Sequence, residues 1–304
     1  TLNGLKNGSI AAVIFYNANP VFNHNKEWSV AISKAKLSVS FSQSKDETAA
    51  VCGFVCPDNH YLESWSDAEP VSGVFHFTQP TISNVFNTRQ AQESLLSWAN
   101  ALPSTDGDTL KSKGILSQKP HAAAFYLFIK NNWMAKFGSD EAFNKALEMG
   151  IYQEAPLASV SAYAGNLASV AEAAMKSSKS TGIDLVLYQS VGMRDGASGN
   201  NPWLYELPDS VSKVCWDNYV ALPKSLAEKL GIAEDDTVNI EVNGNKLSNV
   251  PALIQPGQAN NTVSLAVGFG RTHAGKVGGS VEKGFKSVGV NAFNFVNPTD
   301  RNYV

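Results

Sequence analysis

The feature that most constrains the fold is an alternation of short apolar runs with helical patterns in the first part of the chain. The apolar run Ile10–Tyr16 ends in the loop-forming tetrapeptide Asn17–Pro20, a pattern typical of a strand buried on both faces of a parallel sheet. Strand-like segments follow at Leu37–Phe41 and Val51–Val55, after a helical pattern at Glu27–Lys34. Strands separated by helices predict an α/β fold with a parallel sheet.

Longer helical patterns follow these strands. The periodicity of apolar residues predicts helices at His121–Phe137, at Asp140–Met149 and at about residues 162–176. The second of these has a serine before it that can cap it and a glycine after it that can end it. Another helix is predicted to begin at Asn87, which forms a capping-box pattern with Gln90.

The pattern changes near residue 182, where turn residues and short strands replace long helices. The predicted elements are strands at Ile183–Tyr188, Val238–Val242, Val250–Ile254 and Val263–Val267, and a helix at Pro223–Leu230. Many short strands with one helix predict a compact β-barrel. We therefore predict an α/β domain at residues 1–180 and a β-barrel domain at residues 181–304.

Composition limits the classes of partner. The chain has 24 basic and 27 acidic residues, a net charge of −3, which gives no basic surface for nucleic acid or for a membrane. Its apolar runs are shorter than the roughly 20 residues needed to span a bilayer. Three cysteines are too few for an iron–sulfur cluster. Because the chain starts at Thr1, we expect a slice of a longer polypeptide or a processed form.

Two cysteines four positions apart, Cys52 and Cys56, are the first candidates for metal or redox chemistry. On an extended strand their Cα atoms would lie about 13 Å apart, at roughly 3.3 Å per residue. A disulfide needs roughly 4.4–6.8 Å. Unless Gly53 bulges the strand sharply, neither a bridge nor a shared metal ion is possible, and we predict two buried, free cysteines.

The next segment contains a histidine and several acidic residues, but without metal-ligand spacing. His60 and Glu63 lie in a loop-like segment with no helical face to bring ligands together. We predict that they hydrogen-bond the loop backbone and hold Tyr61 and Trp65 against the sheet. Three other histidines have no partner at ligand spacing: His24, His76 and His121.

The glycine-rich segment Gly268–Gly279 is the chain's nearest approach to a phosphate-binding loop. Its glycines permit close backbone approach, and Arg271, His273 and Lys276 could neutralise an anion. It departs from the dinucleotide fingerprint because His273 stands where the third glycine belongs, and because no clear helix follows. We favour a mobile loop that covers the end of the barrel, with phosphate binding as the alternative.

The sequence offers no further catalytic arrangement. It contains no G-x-S-x-G, and no Ser/His/Asp or Cys/His arrangement has a supporting local frame. The acidic pairs Asp235–Asp236 and Asp67/Glu69 fall in turns, where a solvated role is expected. We therefore predict no catalytic, cofactor-binding or metal-binding residue in this chain.

Motifs in a fixed order along nearly the whole chain resemble the molybdopterin oxidoreductase superfamily. They are Tyr16–Asn23, Asp46–Gln90, Asn200–Pro208, Trp216–Tyr219, Pro251–Gln258, Gly268–Arg271 and Gly289–Phe293. Each motif is weak, but the shared order is specific. The resemblance is greatest to the branch found in the B subunit of the respiratory assembly called alternative complex III.

The resemblance implies a parallel-sheet, molybdopterin-oxidoreductase-like layer in residues 1–180, followed by a C-terminal double-psi β-barrel. In this branch the B subunit is described as keeping this shell without molybdenum or pterin. Its electron carriers are iron–sulfur clusters in a domain beyond the barrel. The resemblance therefore implies no cofactor in this chain, iron–sulfur clusters in the rest of the subunit, and haem c in partner subunits.

The function that the resemblance implies is a non-catalytic structural core for a membrane-bound, quinol-oxidising complex on the periplasmic side of the bacterial inner membrane. Expected partners are a multihaem cytochrome c and quinol-binding membrane subunits, with no nucleic acid and no direct membrane span. One alternative is a catalytic molybdopterin-dependent reductase of the polysulfide, thiosulfate or tetrathionate type, in which Gly268–Gly279 would contact the dinucleotide. Another is an independent small-molecule-binding domain.

Overall fold

The computed structural model describes residues 1–24, 27–99, 120–154, 164–177 and 182–296. The chain divides into two compact units: unit 1 comprises residues 1–38, 44–53 and 165–304, and unit 2 comprises residues 39–43 and 54–164. The predicted domain boundary near residue 180, which rests on the change of sequence pattern there, stays a prediction. Within the described ranges, no helix is both long and apolar enough to cross a membrane.

Unit 1 begins with short helices around a strand. The elements are α1 (Leu2–Lys6), β1 (Ala12–Phe15), α2 (Pro20–Asn23), α3 (Glu27–Ile32) and the start of β2 (Leu37–Ser40). The strand is shorter than predicted, and the expectation that both of its faces are buried is wrong. Val13 and Phe15 pack with Leu5 and Ile32 in a small core, whereas Ile14 on the other face is 43% exposed. An alternating burial pattern identifies a strand covered on one face only.

Strand β2 pairs in parallel with β3 (Phe54–Val55), with Val39 opposite Phe54. This pairing confirms the predicted parallel sheet, but the predicted strand Val51–Val55 is wrong in its first part. Residues Ala49–Val51 form a 3₁₀ turn instead. The turn forms because the Asp46 carboxylate accepts a hydrogen bond from the Ala49 N–H at 2.7 Å, a local side-chain bond that competes with strand pairing.

Unit 2 is built on an antiparallel sheet that the sequence analysis missed. The sheet has the order β4-β5-β6, and its strands are β4 (Ser66–Val71), β5 (Val74–Thr78) and β6 (Ile151–Gln153). Its helices are α4 (Ala91–Trp98), α5 (Pro120–Phe137) and α6 (Asp140–Met149). Helices α5 and α6 agree with their predicted bounds to within one residue, and α6 has clear signals at both of its ends. Ser139 caps α6 by accepting a hydrogen bond from the Ala142 N–H, and Gly150 ends it with φ +69°.

The predicted start of α4 is wrong. The helix begins at Ala91 rather than after Asn87. Its first N–H group is satisfied by a residue distant in sequence, since the Asp58 carboxylate accepts a hydrogen bond from Ala91 at 2.8 Å. A carboxylate at a helix N-terminus also has a favourable interaction with the helix dipole. A cap supplied from another segment is not visible in the local sequence pattern.

The core of unit 2 is aromatic. The rings of Phe77 and Trp133 meet edge to face with centroids 4.9 Å apart, and Phe143 is fully buried beside them. The Trp133 indole donates a hydrogen bond to the Asp67 carboxylate at 2.8 Å, so its one polar atom is satisfied. Asp67 is exposed, as the sequence predicted, but it lies in β4 rather than in a turn and also has a structural partner.

The second half of unit 1 contains a five-stranded mixed sheet in the order β7-β11-β8-β10-β9. Its strands are β7 (Asp184–Gln189), β8 (Val220–Leu222), β9 (Thr237–Val242), β10 (Asn245–Ile254) and β11 (Thr262–Val267). Its helices are α7 (Leu167–Ser177), α8 (Pro202–Glu206) and α9 (Lys224–Leu230). The four predicted strands and the predicted helix α9 are confirmed, whereas β8 was missed. Part of the predicted helix at residues 162–176 lies outside the described residues, and α7 itself begins at Leu167.

Parallel and antiparallel pairs are combined in this sheet. Strand β7 runs parallel to β11, and β8 runs parallel to β10, while β9 and β10 form an antiparallel hairpin. The hairpin turn has positive φ angles at Asn243 and Gly244, as a type I′ turn requires. Side chains such as Val220, Val250 and Leu265 are buried together in the main core of unit 1.

We predict that Phe143→Ala lowers the free energy of unfolding by about 3–5 kcal/mol, the usual cost of deleting a buried aromatic side chain. The measurement is urea unfolding of the full-length protein followed by tryptophan fluorescence. Phe86→Ala is the matched control, because Phe86 is 72% exposed in the same unit. Equal losses of stability in the two variants would contradict the packing described for α6.

Candidate functional site

A buried ion pair lies between two of the motifs singled out in the sequence. The side chains of Glu47 and Arg271 are 6% and 5% exposed. Arg271 Nη2 lies 2.8 Å from Glu47 Oε2, and Arg271 Nε lies 3.0 and 3.1 Å from the two carboxylate oxygens. Such forked pairing is the strong form of the arginine–carboxylate interaction.

The remaining acceptor positions of the Glu47 carboxylate are also filled. The main-chain N–H groups of Thr272 and His273 donate to Oε1 at 2.7 and 3.0 Å. The Asn19 amide donates to Oε2 at 2.8 Å, and Asn19 Oδ1 accepts from the Thr48 hydroxyl at 2.7 Å. The carboxylate therefore connects the loop after β1, the turn at residues 46–48 and the segment at residues 271–273.

The groups around the Glu47 carboxylate determine whether it is ionised. Desolvation by burial is the largest single effect and raises the pKa of the carboxyl group. The hydrogen bond and charge of Arg271, with the hydrogen bonds from Asn19 and His273, outweigh it and lower the pKa to about 2. Glu47 is therefore ionised in the folded protein at neutral pH.

Arg271 is fully used within unit 1. Its Nη1 donates to the main-chain oxygen of Gly196, and its guanidinium carbon lies 4.7 Å from the centre of the Phe22 ring. The arginine is thus enclosed by a carboxylate, a carbonyl group and an aromatic face. Only 4% of its surface is exposed, so it is not placed to meet an external anion.

The glycines of the Gly268–Gly279 segment are explained by the packing of unit 1 against itself. A Cβ atom on Gly268 would lie 2.5 Å from Arg194 O, and one on Gly270 would overlap Asn291 N. A Cβ atom on Gly278 would overlap Gly199 O. Close backbone approach is the reason for glycine here, and the approaching backbone belongs to this chain.

The segment itself is folded rather than the loose cover that we predicted. It contains β12 (His273–Ala274), α10 (Gly275–Gly278) and β13 (Gly279–Ser280). Of its three candidate cations, Arg271 is paired with Glu47, while His273 Nε2 lies 3.7 Å from Glu282 Oε1. Lys276 is exposed. These cations do not converge, so the segment does not fit the phosphates of a pterin dinucleotide.

The two cysteines of the Asp46–Gln90 block form no disulfide, which agrees with the prediction of free thiols. Both are half-buried rather than buried. The extended strand expected between them is wrong, because Cys52 follows the 3₁₀ turn at residues 49–51 instead of lying on a strand. Burial and then the charge of Asp46 raise the pKa of the Cys52 thiol to about 11, so it is not a reactive thiolate at neutral pH.

The prediction for His60 and Glu63 is confirmed in its main point. Leu62 N–H donates to His60 Nδ1 at 3.3 Å, and His60 N–H donates to Glu63 Oε2 at 3.0 Å. The two side chains form a capping box around a 3₁₀ turn. Glu63 Oε1 also accepts from the Val85 N–H at 2.8 Å. Both residues therefore organise the loop backbone.

The aromatic neighbours of that turn behave differently from each other. Trp65 packs against Tyr126, with ring centroids 4.7 Å apart, as expected for a side chain held in the unit. Tyr61 is 67% exposed, so the expectation that it lies against the sheet is wrong.

Within the part of the chain that the structure describes, no three His, Cys, Asp or Glu residues are grouped to hold a metal ion. The side chain of His121 lies outside the described residues.

Unit 1 contains a cavity of about 230 Å³ that was not predicted from the sequence; it lies between the end of β7, α8 and the segment before β8. We call it the aromatic cavity. Its lining includes Tyr188, Tyr205, Trp216, Tyr219, Phe269 and Asp209. The signal for it lies in the motifs Asn200–Pro208 and Trp216–Tyr219, which the sequence analysis used only as marks of resemblance.

No model of a known protein family matches the chain, and no curated protein matches its sequence. Among solved structures, acetylene hydratase from Pelobacter acetylenicus is similar to it, with a TM-score of 0.61 and 13% sequence identity. The similarity covers 94% of this chain and 41% of that chain. At this identity the likeness shows the fold alone, and that fold is molybdopterin-oxidoreductase-like. The chain spans less than half the length of the structure that it matches.

We predict that Glu47→Gln lowers the free energy of unfolding by about 3–5 kcal/mol, because Arg271 would be left buried without a compensating charge. Urea unfolding of the full-length protein measures this loss. The matched control is Glu282→Gln, which removes an exposed carboxylate paired with Lys45 at 3.0 Å and should change stability little. A Glu47→Gln protein as stable as the control would contradict a structural role for the ion pair.

The same carboxylate predicts how stability depends on acid. Its pKa in the folded protein, about 2, lies below its ordinary value of 4.5. Its contribution is therefore complete above about pH 4.5 and is lost as the pH falls towards 2. We expect the free energy of unfolding to fall more steeply over this range in the unmodified protein than in Glu47→Gln. Parallel pH profiles would show that Glu47 has an ordinary pKa.

Proposed function

We propose that this chain is the non-catalytic structural core of an iron–sulfur subunit in a membrane-bound, quinol-oxidising respiratory complex of the alternative complex III type. The fold and the order of the sequence motifs support the family relation. The observation that carries the non-catalytic role is the buried Glu47–Arg271 pair. In this pair Arg271, the buried cation of the glycine-rich segment, is bound to a carboxylate of the same chain.

The finer architecture belongs to this proposal. We infer that residues 181–304 form the double-psi β-barrel of the superfamily. The support is the mixed sheet in which β7 pairs in parallel with β11 and β8 with β10, joined by an antiparallel pair between β11 and β8. Crossover connections between parallel neighbours are what such a barrel requires.

The proposed surroundings follow from the family relation. Iron–sulfur clusters would lie in other parts of the subunit, haem c in a partner cytochrome, and quinol-binding subunits in the membrane. The assembly would face the periplasm. Exposed tryptophans such as Trp203 suit docking, because tryptophan is enriched among the residues that anchor protein interfaces.

Metal and nucleotide analysis of the purified, full-length subunit tests the non-catalytic role. We expect iron, without stoichiometric molybdenum or tungsten and without a guanine nucleotide released on denaturation. A molybdopterin enzyme carried through the same procedure is the positive control. Stoichiometric molybdenum or tungsten together with the released nucleotide would overturn the proposal in favour of a catalytic reductase.

A purification through an affinity tag on the full-length subunit, from its native membrane, tests the assembly in the same preparation. We expect c-type haem and quinol oxidation activity to co-purify with the tagged subunit. A subunit recovered in monomeric form, with neither haem nor quinol oxidation, would contradict its placement in the complex.

A further inference from the structure

We propose that the aromatic cavity of unit 1 is a binding site for an organic ammonium ion. This inference concerns a different part of the unit from the Glu47–Arg271 pair, and it does not depend on the proposed respiratory role. It follows from the aromatic walls of the cavity, the charge of its lining and its size.

The walls of the cavity include aromatic rings in fixed positions, of which Trp216 is the most exposed, at 40%. The rings of Tyr205 and Trp216 are stacked, with an interplanar angle of 4° and centroids 5.5 Å apart. Tyr205 also meets Phe269 edge to face at 6.0 Å. Tyr188 and Tyr219 line the same space. Aromatic faces attract a cation through the ring quadrupole, most strongly where water is excluded.

The lining is negatively charged. It contains two carboxylates, Asp209 and Asp217, and no Lys, Arg or His among the described residues that form it. The Asp209 carboxylate accepts hydrogen bonds from the N–H groups of Val211 and Ser212, both at 2.9 Å. Burial raises the pKa of Asp209, but these N–H groups and the neighbouring hydroxyls lower it below its ordinary value. The carboxylate is therefore ionised at neutral pH.

Hydroxyl groups complete the polar part of the site. Ser212 Oγ lies 2.6 Å from the Tyr219 hydroxyl and donates to Asp209 at 3.1 Å. Burial raises the pKa of Tyr188 and raises the pKa of Tyr205 to about 12, so both phenols are neutral at physiological pH. The buried Tyr205 hydroxyl has no hydrogen-bond partner within the described part of the chain. Neutral hydroxyl oxygens can accept hydrogen bonds from an ammonium group.

Trp216 lies at the edge of this site in an unusual backbone conformation. Its φ angle is +71°, a left-handed conformation that is rare for a bulky residue. The conformation is fixed by a hydrogen bond from its N–H to Tyr205 O at 2.8 Å and by the ring stacking. The side chain is nevertheless 40% exposed, which leaves indole surface open to a ligand. Strain that is kept at a partly exposed aromatic residue is characteristic of binding sites.

Other ligand classes fit these properties less well. Two carboxylates repel an anion, and no cation in the lining offsets them. A metal ion needs several converging oxygen, nitrogen or sulfur ligands, and no such group occurs in the described residues. The volume of about 230 Å³ is below the roughly 300–1,000 Å³ of sites for larger ligands. An alkylammonium group combines positive charge, apolar surface and small size.

The ammonium group could belong to a free small molecule or to a lysine side chain of a partner protein, since both have the same chemistry. The test therefore uses choline, tetramethylammonium and a lysine-containing peptide as separate probes for the full-length protein. Binding is measured by calorimetry and by the fluorescence change of tryptophan. The matched neutral ligand is 3,3-dimethyl-1-butanol, which keeps the shape of choline and removes its charge.

We expect saturable binding of at least one cationic probe and binding of the neutral alcohol that is weaker by about tenfold or more. Asp209→Asn should weaken cation binding by a similar factor, because asparagine keeps an acceptor for the two N–H groups but removes the charge. Asp184→Asn is the control, since Asp184 lies at the start of β7 and does not line the cavity. Trp216→Leu should weaken binding without removing the carboxylate, and it tests the site even if Asp209→Asn does not fold.

Three results would overturn the proposal. The first is equal affinity for choline and its neutral analogue, and the second is an absence of saturable binding of every cationic probe up to roughly 10 mM. The third is binding of guanosine that depends on Asp209 and does not compete with the cationic probes. This result would identify the cavity as a nucleobase site. Binding of the peptide alone would support the proposal and identify the source of the ammonium group as a protein side chain.

Discussion

The buried Glu47–Arg271 pair is the interaction on which unit 1 most depends. Removing two opposite charges from water costs several kcal/mol for each ion, and their attraction offsets this cost only if the other hydrogen-bonding positions are also filled. Here they are filled by Asn19, by Gly196 and by the main chain of residues 272–273. The pair joins positions separated by 224 residues, so it can form only when the distant parts of unit 1 are already correctly placed. Loss of one partner would leave a charge that the interior cannot solvate.

This arrangement also determines what the glycine-rich segment can do. A phosphate-binding loop needs exposed N–H groups and a cation that faces the ligand. In this chain the N–H groups of Thr272 and His273 face the Glu47 carboxylate, and the buried arginine does so as well. The carboxylate therefore occupies, within the protein, the electrostatic position that a phosphate could take. A likeness of fold to an enzyme does not supply an active site, and Arg271, Thr272 and His273 of this segment are engaged with Glu47.

The sequence was most informative where an element is defined by its own residues. Helix α6 has a strongly amphipathic pattern, β9 alternates between exposed and half-buried residues, and a glycine ends each of the helices α6 and α9. Prediction failed where a distant group decides the outcome. Asp58, in another segment, accepts the first hydrogen bond from the N-terminus of α4. The short strands β4, β5 and β6 form because they pair with one another. The pairing of Arg271 with Glu47 could likewise not be predicted, because nothing in the sequence around either residue specifies the other. The motifs in residues 200–219 marked the family resemblance, but only the folded chain shows that their aromatic residues enclose a cavity.

Tyr205 connects the two polar regions of unit 1. Its ring forms a wall of the aromatic cavity through its stacking on Trp216. The pKa of its hydroxyl is raised mainly by burial, and it is also affected by the opposite charges of Arg271 and Glu47. The ion pair and the cavity therefore share one fully buried side chain. The phenol stays neutral at physiological pH mainly because it is buried. A ring that is held in place before the ligand arrives suits a cation site, because the position of the cavity wall does not have to be fixed on binding.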